Sequence, residues 1–231
     1  MTDLSRPGKT RVLLSWSSGK DSAWTLYQLQ RDPTVEVVGL LTTYNQAFAR
    51  SAIHGVRLSL VRAQAEAAGL PLLAIPLPWP CSNEQYEQAM RIGLDEAVQR
   101  FAPDAVAFGD LFLEDIRAYR ESRMAQTGLE VLFPIWATPT DQLARAMVDG
   151  GLQARVTCLD PGRMPQSLAG AAFDLDFLAK LPETVDPCGE NGEFHSFAWS
   201  GPMFKWPIRV AVGERVTREG FVYTDLTAVV A

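Results

Sequence analysis

Hydrophobic residues in the first part of the chain form short apolar runs that alternate with stretches of helical spacing. The first apolar run covers residues 11–17. Residues 20–31 then place Ala23, Leu26 and Tyr27 at the intervals of one helix face. The pattern predicts a strand, a tight turn and a helix in that order.

The same alternation continues to about residue 133. The later predicted strands are residues 35–43, 71–77, 105–109 and 130–133, and the later predicted helices are residues 56–69, 83–101 and a segment ending near residue 127. Repeated β-α units favour a Rossmann-like α/β fold, a parallel sheet with helices on both faces. Ligands bind such sheets beyond the carboxyl ends of the strands, where Ser17 and Asp110 both fall.

The pattern changes after residue 133. A helical segment and an apolar run lead through a Pro- and Gly-rich passage to two β-rich runs, which read as an antiparallel hairpin. These segments are residues 140–150, 154–159, 208–212 and 221–230. The sequence therefore predicts a smaller α+β domain over residues 134–231, following a larger domain over residues 1–133.

Composition narrows the classes of function. The 231 residues are 47% hydrophobic, enough for a sizeable core, and the net charge of −6 argues against a DNA-binding role. Cys81, Cys158 and Cys188 are widely spaced and odd in number, which indicates neither a disulfide framework nor a zinc site. Since the sequence also shows no signal-peptide or membrane-spanning pattern, we expect a cytoplasmic protein.

The turn between the first predicted strand and helix reads Ser-Ser-Gly-Lys-Asp-Ser over residues 17–22. Free backbone N–H groups at a helix N-terminus attract anions, and Lys20 adds a positive charge. Asp21 is unusual in a pure anion site and indicates a nearby divalent cation or a substrate proton. A Walker A loop is excluded because Leu14 and Asp21 stand where it needs Gly and Ser or Thr. The plainer alternative, a solvated serine turn, leaves Lys-Asp-Ser unexplained.

This loop resembles the pyrophosphate loop of the N-type ATP pyrophosphatases, or PP-loop enzymes, which have an adenine nucleotide alpha hydrolase-like fold. Ser18 replaces a Gly that is common there. Within that group the chain is similar to the diphthine-ammonia ligase family. The similarity also lies in residues 53–57, in residues 109–136 and in Cys-Gly-Glu-Asn-Gly-Glu-Phe at residues 188–194. Asn191 stands at a usual Gly, and Glu121 at a usual basic position, which leaves the substrate open.

The resemblance, together with the residue chemistry, identifies candidate site residues. Nucleotide contacts are expected from Ser15, Ser17, Ser18, Gly19, Lys20, Asp21, Ser22, His54, Gly109 and Asp110. Catalytic roles are expected from Lys20, Asp21, Glu190 and Glu193, with Asp21 as a Mg²⁺ ligand. Substrate contacts are expected from Tyr119, Arg120, Arg123 and Asn191.

Several of these residues also have plainer interpretations. Glu190 and Glu193 can hold ammonium, an amine or a metal if they face the nucleotide, and otherwise they belong to a polar surface loop. His54 is either a phosphate or substrate contact or a structural histidine, and His195 is interpreted mainly as structural. For Tyr119 and Arg120 the alternative is an ordinary helix face.

The resemblance implies an ATP- and Mg²⁺-dependent ligase that adenylates a carboxylate, releases pyrophosphate and forms an amide with ammonia or another amine. The acceptor carboxylate belongs to a small molecule or a protein, and a homodimer is left open. One alternative is an ATP or AMP sensor without turnover. Another is a tRNA-thiolating PP-loop enzyme, which calls for a reactive Cys pair and a basic surface that the sequence lacks.

Overall fold

The computed structural model describes residues 8–51 and 54–229. The strands are β1 (Thr10–Ser15), β2 (Val35–Asn45), β3 (Arg50–Ser51), β4 (Leu72–Leu77), β5 (Ala105–Ala107), β6 (Glu130–Leu132), β7 (Gln153–Leu159), β8 (Phe194–Ser200), β9 (Val210–Arg218) and β10 (Phe221–Ala228). The helices are α1 (Lys20–Arg31), α2 (Leu58–Ala68), α3 (Asn83–Phe101), α4 (Glu114–Met124), α5 (Thr140–Asp149) and α6 (Leu175–Ala179), with a 3₁₀ turn at Gln166–Leu168.

The first six strands form one largely parallel sheet. Strand β1 pairs in parallel with β2 on one side and β5 on the other, while β4 joins β2 and β6 joins β5. Strand β3 adds a short antiparallel pairing at the end of β2. The order in which strands are added to the sheet therefore reverses at β1. In open α/β sheets such a switch point leaves a crevice beyond the carboxyl ends of the strands.

Side chains of β1 alternate between two cores, as the period of a strand requires. Val12 and Leu14 belong to the larger hydrophobic cluster, whereas Leu13 belongs to the smaller cluster on the other face of the sheet. The larger cluster also contains Phe197 and Met203 from the later part of the chain. The region after residue 133, here called the second region, is therefore packed directly on one face of the parallel sheet.

The later strands form an antiparallel sheet in the order β8-β7-β10-β9. Its β9–β10 hairpin turns at Glu219 and Gly220, whose φ angles of 50° and 85° are those of a tight hairpin turn. The α/β fold class, with a parallel sheet and a separate antiparallel region, is confirmed. The boundary at residue 134 stays a prediction.

The differences from the predicted elements lie at their ends and in the second region. Strand β5 stops at Ala107 instead of residue 109, and α4 ends at Met124 rather than near residue 127. Strand β9 is longer than the predicted run because it continues through the polar residues of the hairpin. The sequence pattern does not identify strand β8 or helix α6 individually. Among the described helices, none combines the length and the apolar character needed to span a bilayer.

Candidate active site

Two adjoining cavities lie beyond the carboxyl ends of β1 and β5. One, of about 240 Å³, is lined by the α1 N-terminus and by residues of the later region. The other, of about 180 Å³, is more apolar and is lined by β2, α3 and α4 side chains. Ser15, Ser17, His54, Phe108 and Arg120 line both. We call the first the phosphate cavity and the second the apolar cavity.

The phosphate cavity is built on the start of α1. Gly19 occupies the N-cap position and has no side chain that could cap the helix. The backbone N–H of Lys20 donates to Ser196 Oγ at 3.2 Å, and Ser17 Oγ accepts from the Gly19 N–H at 3.3 Å. Ser196 thus caps one N–H group of the helix start, and the first turn carries further N–H groups that suit a phosphate group.

The loop before α1 is held from behind by buried polar contacts. Gln64 of α2 donates to the carbonyls of Ser18 and Ala198, at 3.0 and 2.6 Å, and accepts from the Trp16 indole at 2.9 Å. The Ala198 N–H of β8 also donates to the Ser18 carbonyl at 3.0 Å. These contacts fix the loop between α2 and the second sheet. Sequence reasoning missed Gln64, although a Gln among the apolar positions of α2 was the available signal.

Ser18 takes a left-handed backbone conformation, with φ at 71°. This conformation costs most residues about 1–2 kcal/mol but costs glycine little, and Gly is the common residue at this position in the similar loops. The Ser18 hydroxyl is buried and finds no partner in the described part of the chain.

We therefore predict that Ser18→Gly raises the free energy of unfolding by about 1 kcal/mol. The substitution removes both the strain of the left-handed backbone and the buried hydroxyl without a partner. Urea denaturation measures the change. The matched control is Ser59→Gly on the exposed side of α2, which should leave stability unchanged or lower it. A destabilised Ser18→Gly variant would contradict the interpretation.

Lys20 lies inside the protein and is 2% exposed. Its ammonium contacts Asp21 Oδ2 at 2.8 Å, donates to the Cys188 carbonyl and lies 5.1 Å from the centre of the Phe194 ring. Burial alone would lower the pKa of Lys20, but Asp21, Cys188 and Glu190 together outweigh that effect and raise it. The charge of Lys20 thus ties the phosphate loop to the later region while lining the cavity.

Residues 186–193, here called the acidic loop, form the opposite wall of the phosphate cavity. Asp186 Oδ2 accepts from the backbone N–H groups of Cys188 and Glu190, at 3.0 and 2.9 Å. Gly189 has a φ of 70°, and a Cβ there would come within 2.8 Å of Phe194. Asp186 and Gly189 together shape the turn, and neither was predicted to have a role.

Glu190 is the acidic-loop carboxylate that lines the phosphate cavity. Its Oε1 accepts from the Leu111 N–H at 2.8 Å, which fixes the side chain beside the β5–α4 connection. Burial, with further contributions from Asp21 and Asp110, raises the pKa of Glu190 to about 7. A carboxyl with that pKa can take up and release a proton near neutral pH.

Glu193, predicted to face the same ligand, lies elsewhere. It is fully buried, and the residues lining the two cavities include Glu190 but not Glu193. Its Oε1 accepts from the Asp186 N–H and from Asn191 Nδ2, both at 3.2 Å. Of the two glutamates, Glu190 lines the phosphate cavity, while the contacts of Glu193 hold the acidic loop.

Among the predicted substrate-binding residues, Arg120 alone lines the cavities. It stacks 4.9 Å from the Phe108 ring centre and contacts Asp110 at 3.4 Å. Arg123 instead pairs with Glu87 on the surface and stacks on Tyr119, which is 39% exposed. Asn191 is exposed on the acidic loop. Tyr86, which the sequence analysis missed, lines the apolar cavity with Arg120.

Gly109 and Asp110 bring the end of β5 against α1. A Cβ on Gly109 would lie 3.0 Å from Thr25 Oγ1 and 3.2 Å from the Asp21 carbonyl carbon, so a glycine permits the approach. Asp21, Asp110 and Glu190 all line the phosphate cavity. Within residues 8–51 and 54–229, no three His, Cys, Asp or Glu side chains form a ready metal site. Mg²⁺ with a nucleotide usually needs only one or two carboxylates, so these residues fit it.

Comparison with models of known protein families identifies the family of this chain. Residues 8–131 match the diphthamide synthase N-terminal domain, and residues 139–230 match the diphthamide synthase C-terminal domain. The chain belongs to the diphthamide synthase family. No curated protein matches it. Membership in the diphthamide synthase family makes it an ATP-utilising PP-loop enzyme, and the resemblance stated from residues 17–22 is confirmed.

The two histidines of this diphthamide synthase family member meet in the phosphate cavity. His54 and His195 stack with ring centres 4.5 Å apart and ring planes 15° apart. Ile53, part of the similar stretch before His54, lies outside the described residues. Burial lowers the pKa of His195 to about 4 and that of His54 well below its ordinary value, with Lys20 adding to both shifts. His195, interpreted as structural from sequence, is thus a cavity residue.

We predict that His195 makes stability fall in mild acid. The unfolded chain binds a proton at this histidine near pH 6.5, while the folded chain resists doing so down to about pH 4. The contribution is therefore fully present above pH 6.5 and is lost as the pH falls. Between pH 6.5 and 5 the loss is about 1.6 kcal/mol.

Urea denaturation of wild type and His195→Phe at pH 6.5 and 5 measures this contribution. The variant should lose less stability on acidification. Glu190 acts with the opposite sign, because its raised pKa stabilises the fold as the pH falls below 7, but it is common to both proteins and cancels in the comparison. Equal losses in the two proteins would contradict the prediction.

Proposed function

We propose that this chain is an ATP-dependent ligase that adenylates a carboxylate, releases pyrophosphate and transfers the acyl group to ammonia or another amine. The observation that carries the proposal is the position of Glu190. Its carboxyl lines the same cavity as the α1 N-terminus, and its pKa is raised to about 7. A proton acceptor thus faces a phosphate-binding helix end.

The two cavities support an assignment for the parts of ATP. The triphosphate is placed in the phosphate cavity, against the N–H groups at the start of α1 and the hydroxyls of Ser17 and Ser22. The adenosine is placed toward the apolar cavity, where Ser15 and Thr42 offer polar groups among hydrophobic walls. Ser18 and Gly19 shape the loop, and Gly109 leaves room beside it.

The proposed chemistry has two steps. An oxygen of the acceptor carboxylate forms a bond to the α-phosphorus as the bond to pyrophosphate breaks, which gives an acyl adenylate. Ammonia then bonds to the acyl carbon as AMP leaves, and the proton given up by the nitrogen passes to Glu190. When bound beside Asp21 and Asp110, Mg²⁺ would neutralise the charge that develops on the pyrophosphate.

The acceptor carboxylate is assigned to Arg120, which stands between the cavities and can bind a carboxylate through two parallel hydrogen bonds. Tyr119 and Arg123 are assigned to the outer surface next to this entrance, and Asn191 to the exposed edge of the acidic loop. Glu193 is assigned a positioning role within that loop. The acceptor itself, on a small molecule or on a protein, and the homodimer stay predictions.

One observation favours a second candidate, a nucleotide sensor without turnover. The Lys20 ammonium is already paired with the Asp21 carboxylate and donates to the Cys188 carbonyl, so less of its charge is available to a leaving pyrophosphate. The thiolation alternative gains no such support, since burial raises the pKa of both the Cys158 and Cys188 thiols and leaves them unreactive.

The test is product analysis with purified protein, Mg-ATP and ammonium, in the presence and absence of a cell extract. The ligase predicts equimolar AMP and pyrophosphate that appear only when an acceptor is supplied. Formation of ADP and phosphate would overturn the adenylation chemistry. Tight ATP binding with no product under any condition would leave the sensor.

A further inference from the structure

Most of the strand edges of the two sheets are protected from pairing with another chain. Strands β3 and β6 have only two and three residues, and β4 carries Pro76, which cannot donate a backbone hydrogen bond. The outer side of β8 is covered by the phosphate loop, because the Ala198 N–H donates to the Ser18 carbonyl at 3.0 Å. Short length, proline and a covering segment are all devices by which proteins keep sheet edges from associating.

Strand β9 has none of these three protections. It is the last strand in the order β8-β7-β10-β9, it is nine residues long, and it contains no proline. All of its residues except Val210 and Val216 are exposed. Its register against β10 shifts once, between residues 212 and 215, so the stretch beside the hairpin turn is regular. A long exposed edge of this kind offers backbone N–H and C=O groups to another strand.

The hairpin geometry determines which backbone groups of β9 face away from β10, on the side here called the open edge. The two-residue turn closes on the pair Arg218–Phe221, which such a turn joins by a hydrogen bond. Hydrogen-bonded and non-hydrogen-bonded pairs alternate along an antiparallel ladder. The backbone N–H and C=O groups of Arg215 and Thr217 therefore point toward the open edge.

The side chains along the open edge carry opposite charges with an apolar residue between them. Glu214, Val216 and Arg218 are alternate residues of the strand and so lie on one face of the sheet. Glu214 and Arg218 are exposed, and neither forms an ion pair with another of the described residues. Reversing the strand direction exchanges the acid and the base. This face is therefore complementary to an antiparallel second copy of itself.

One register between two such copies matches both the backbone groups and the charges. Outward-facing residues must lie opposite outward-facing residues, so the two-fold axis passes through a residue rather than between two residues. An axis at Arg215 would place two arginines opposite each other, and an axis at Thr217 would place Arg218 opposite Val216. An axis at Val216 places each Glu214 opposite the partner's Arg218. It also places Arg215 opposite the partner's Thr217, where the open backbone groups can form hydrogen bonds.

We propose that two copies of the chain pair along β9 in this register and join their four-stranded sheets into one continuous sheet. The contact is a β-strand addition, in which main-chain hydrogen bonds are flanked by two equivalent ion pairs. It gives a defined interface to the homodimer that the sequence left open. The residues that line the two cavities include none from β9, so each copy keeps its own site. The inference goes beyond the proposed function and does not depend on adenylation.

Sedimentation velocity of the purified full chain tests whether the dimer forms. Pairing between short stretches of two strands buries less surface than a standard interface, so we expect a dissociation constant of about 10 μM. The sedimentation coefficient should therefore rise from that of a monomer to that of a dimer between about 1 and 200 μM. A protein that remains monomeric over this whole range would overturn the proposal.

Charge exchange then tests whether β9 is the interface. Glu214→Arg and Arg218→Glu should each weaken the dimer by about tenfold or more, because each places like charges opposite each other at two positions. The matched control, Arg91→Glu on the exposed side of α3, should dimerise as wild type does.

A mixture of the two single variants is the most demanding measurement. In the mixed pair, the arginines at 214 and 218 of one copy face the glutamates at 218 and 214 of the other. The mixture should therefore form a heterodimer although each variant alone associates poorly, and the double variant Glu214→Arg/Arg218→Glu should dimerise again. Dimers that the single exchanges leave unchanged, or a mixture that stays monomeric, would overturn the β9 interface.

Discussion

Replacing Glu190 by glutamine should slow amide formation by about 100-fold or more, because the variant cannot take a proton from the attacking nitrogen. The substitution keeps the size of the side chain and the acceptor for the Leu111 N–H. Binding of ATP should therefore change little. The measurement is the rate of AMP release with ammonium and an acceptor-containing fraction, beside an ATP dissociation constant for each protein.

Hydroxylamine sharpens this experiment. It is largely unprotonated at neutral pH, so it can attack an acyl adenylate without a base, and it should restore much of the rate of Glu190→Gln. When the kcat/KM is expressed for free ammonia instead of total ammonium, the value for the wild type should rise as the pH passes about 7, and the variant should lack that rise. The matched control is Glu214→Gln on the exposed β9 strand, which should behave as wild type.

Two outcomes would contradict the assigned role. A fully active Glu190→Gln would show that the carboxyl is not needed for proton transfer. A variant that hydroxylamine does not rescue, and that releases no pyrophosphate, would move Glu190 from the amine step to adenylation. The second result would leave the ligase standing but would change which step the acidic loop serves.

Much of the fold could be predicted because the first region follows local rules. Short apolar strands and amphipathic helices alternate there, and several helix boundaries have a chemical marker. Helix α3 begins with a capping box between Ser82 and Gln85, and α2 ends at Gly69 in a left-handed conformation. The second region was harder because β8 depends on its pairing with β7, which the sequence pattern does not specify.

The phosphate loop could be found from sequence because its six residues are contiguous. The rest of the cavity and the support behind its loop are assembled from distant segments. These segments carry Glu190 and His195 in the cavity wall and Gln64 behind the loop, and only the packing shows what each side chain faces. Helix α4 illustrates the limit, since Arg120 enters the cavities while Tyr119 and Arg123 face outward. The sequence predicts a helix with these residues but does not say how it is rotated against the sheet.

The Glu-x-x-Glu spacing was ambiguous for a similar reason. Glu190 and Glu193 are three residues apart, but the turn at Gly189 and Gly192 sends one carboxylate into the cavity and the other into the interior. Both glycines have positive φ angles, and backbone turns of this kind break any simple rule that relates spacing to direction. A pair that looks equivalent in sequence therefore divides into a cavity residue and a buried support.

The structure also allows the two contributions of Lys20 to be separated. Lys20→Met removes the ammonium and leaves the Asp21 carboxylate without its partner in a largely buried site, so the free energy of unfolding should fall by about 3 kcal/mol. In Lys20→Met/Asp21→Asn the unpaired charge is also removed. Stability should then return to within about 1 kcal/mol of wild type, because neutral groups bear a smaller desolvation cost.

Activity should not follow stability in this pair of variants. If the Lys20 charge or the Asp21 carboxylate assists departure of pyrophosphate, the double variant should be folded and yet release no pyrophosphate from Mg-ATP. Urea denaturation and a pyrophosphate assay on the same preparations measure the two effects. A stable double variant with wild-type turnover would show that Lys20 only joins the phosphate loop to the acidic loop, and electrostatic assistance would then have to come from Mg²⁺ and the α1 N-terminus.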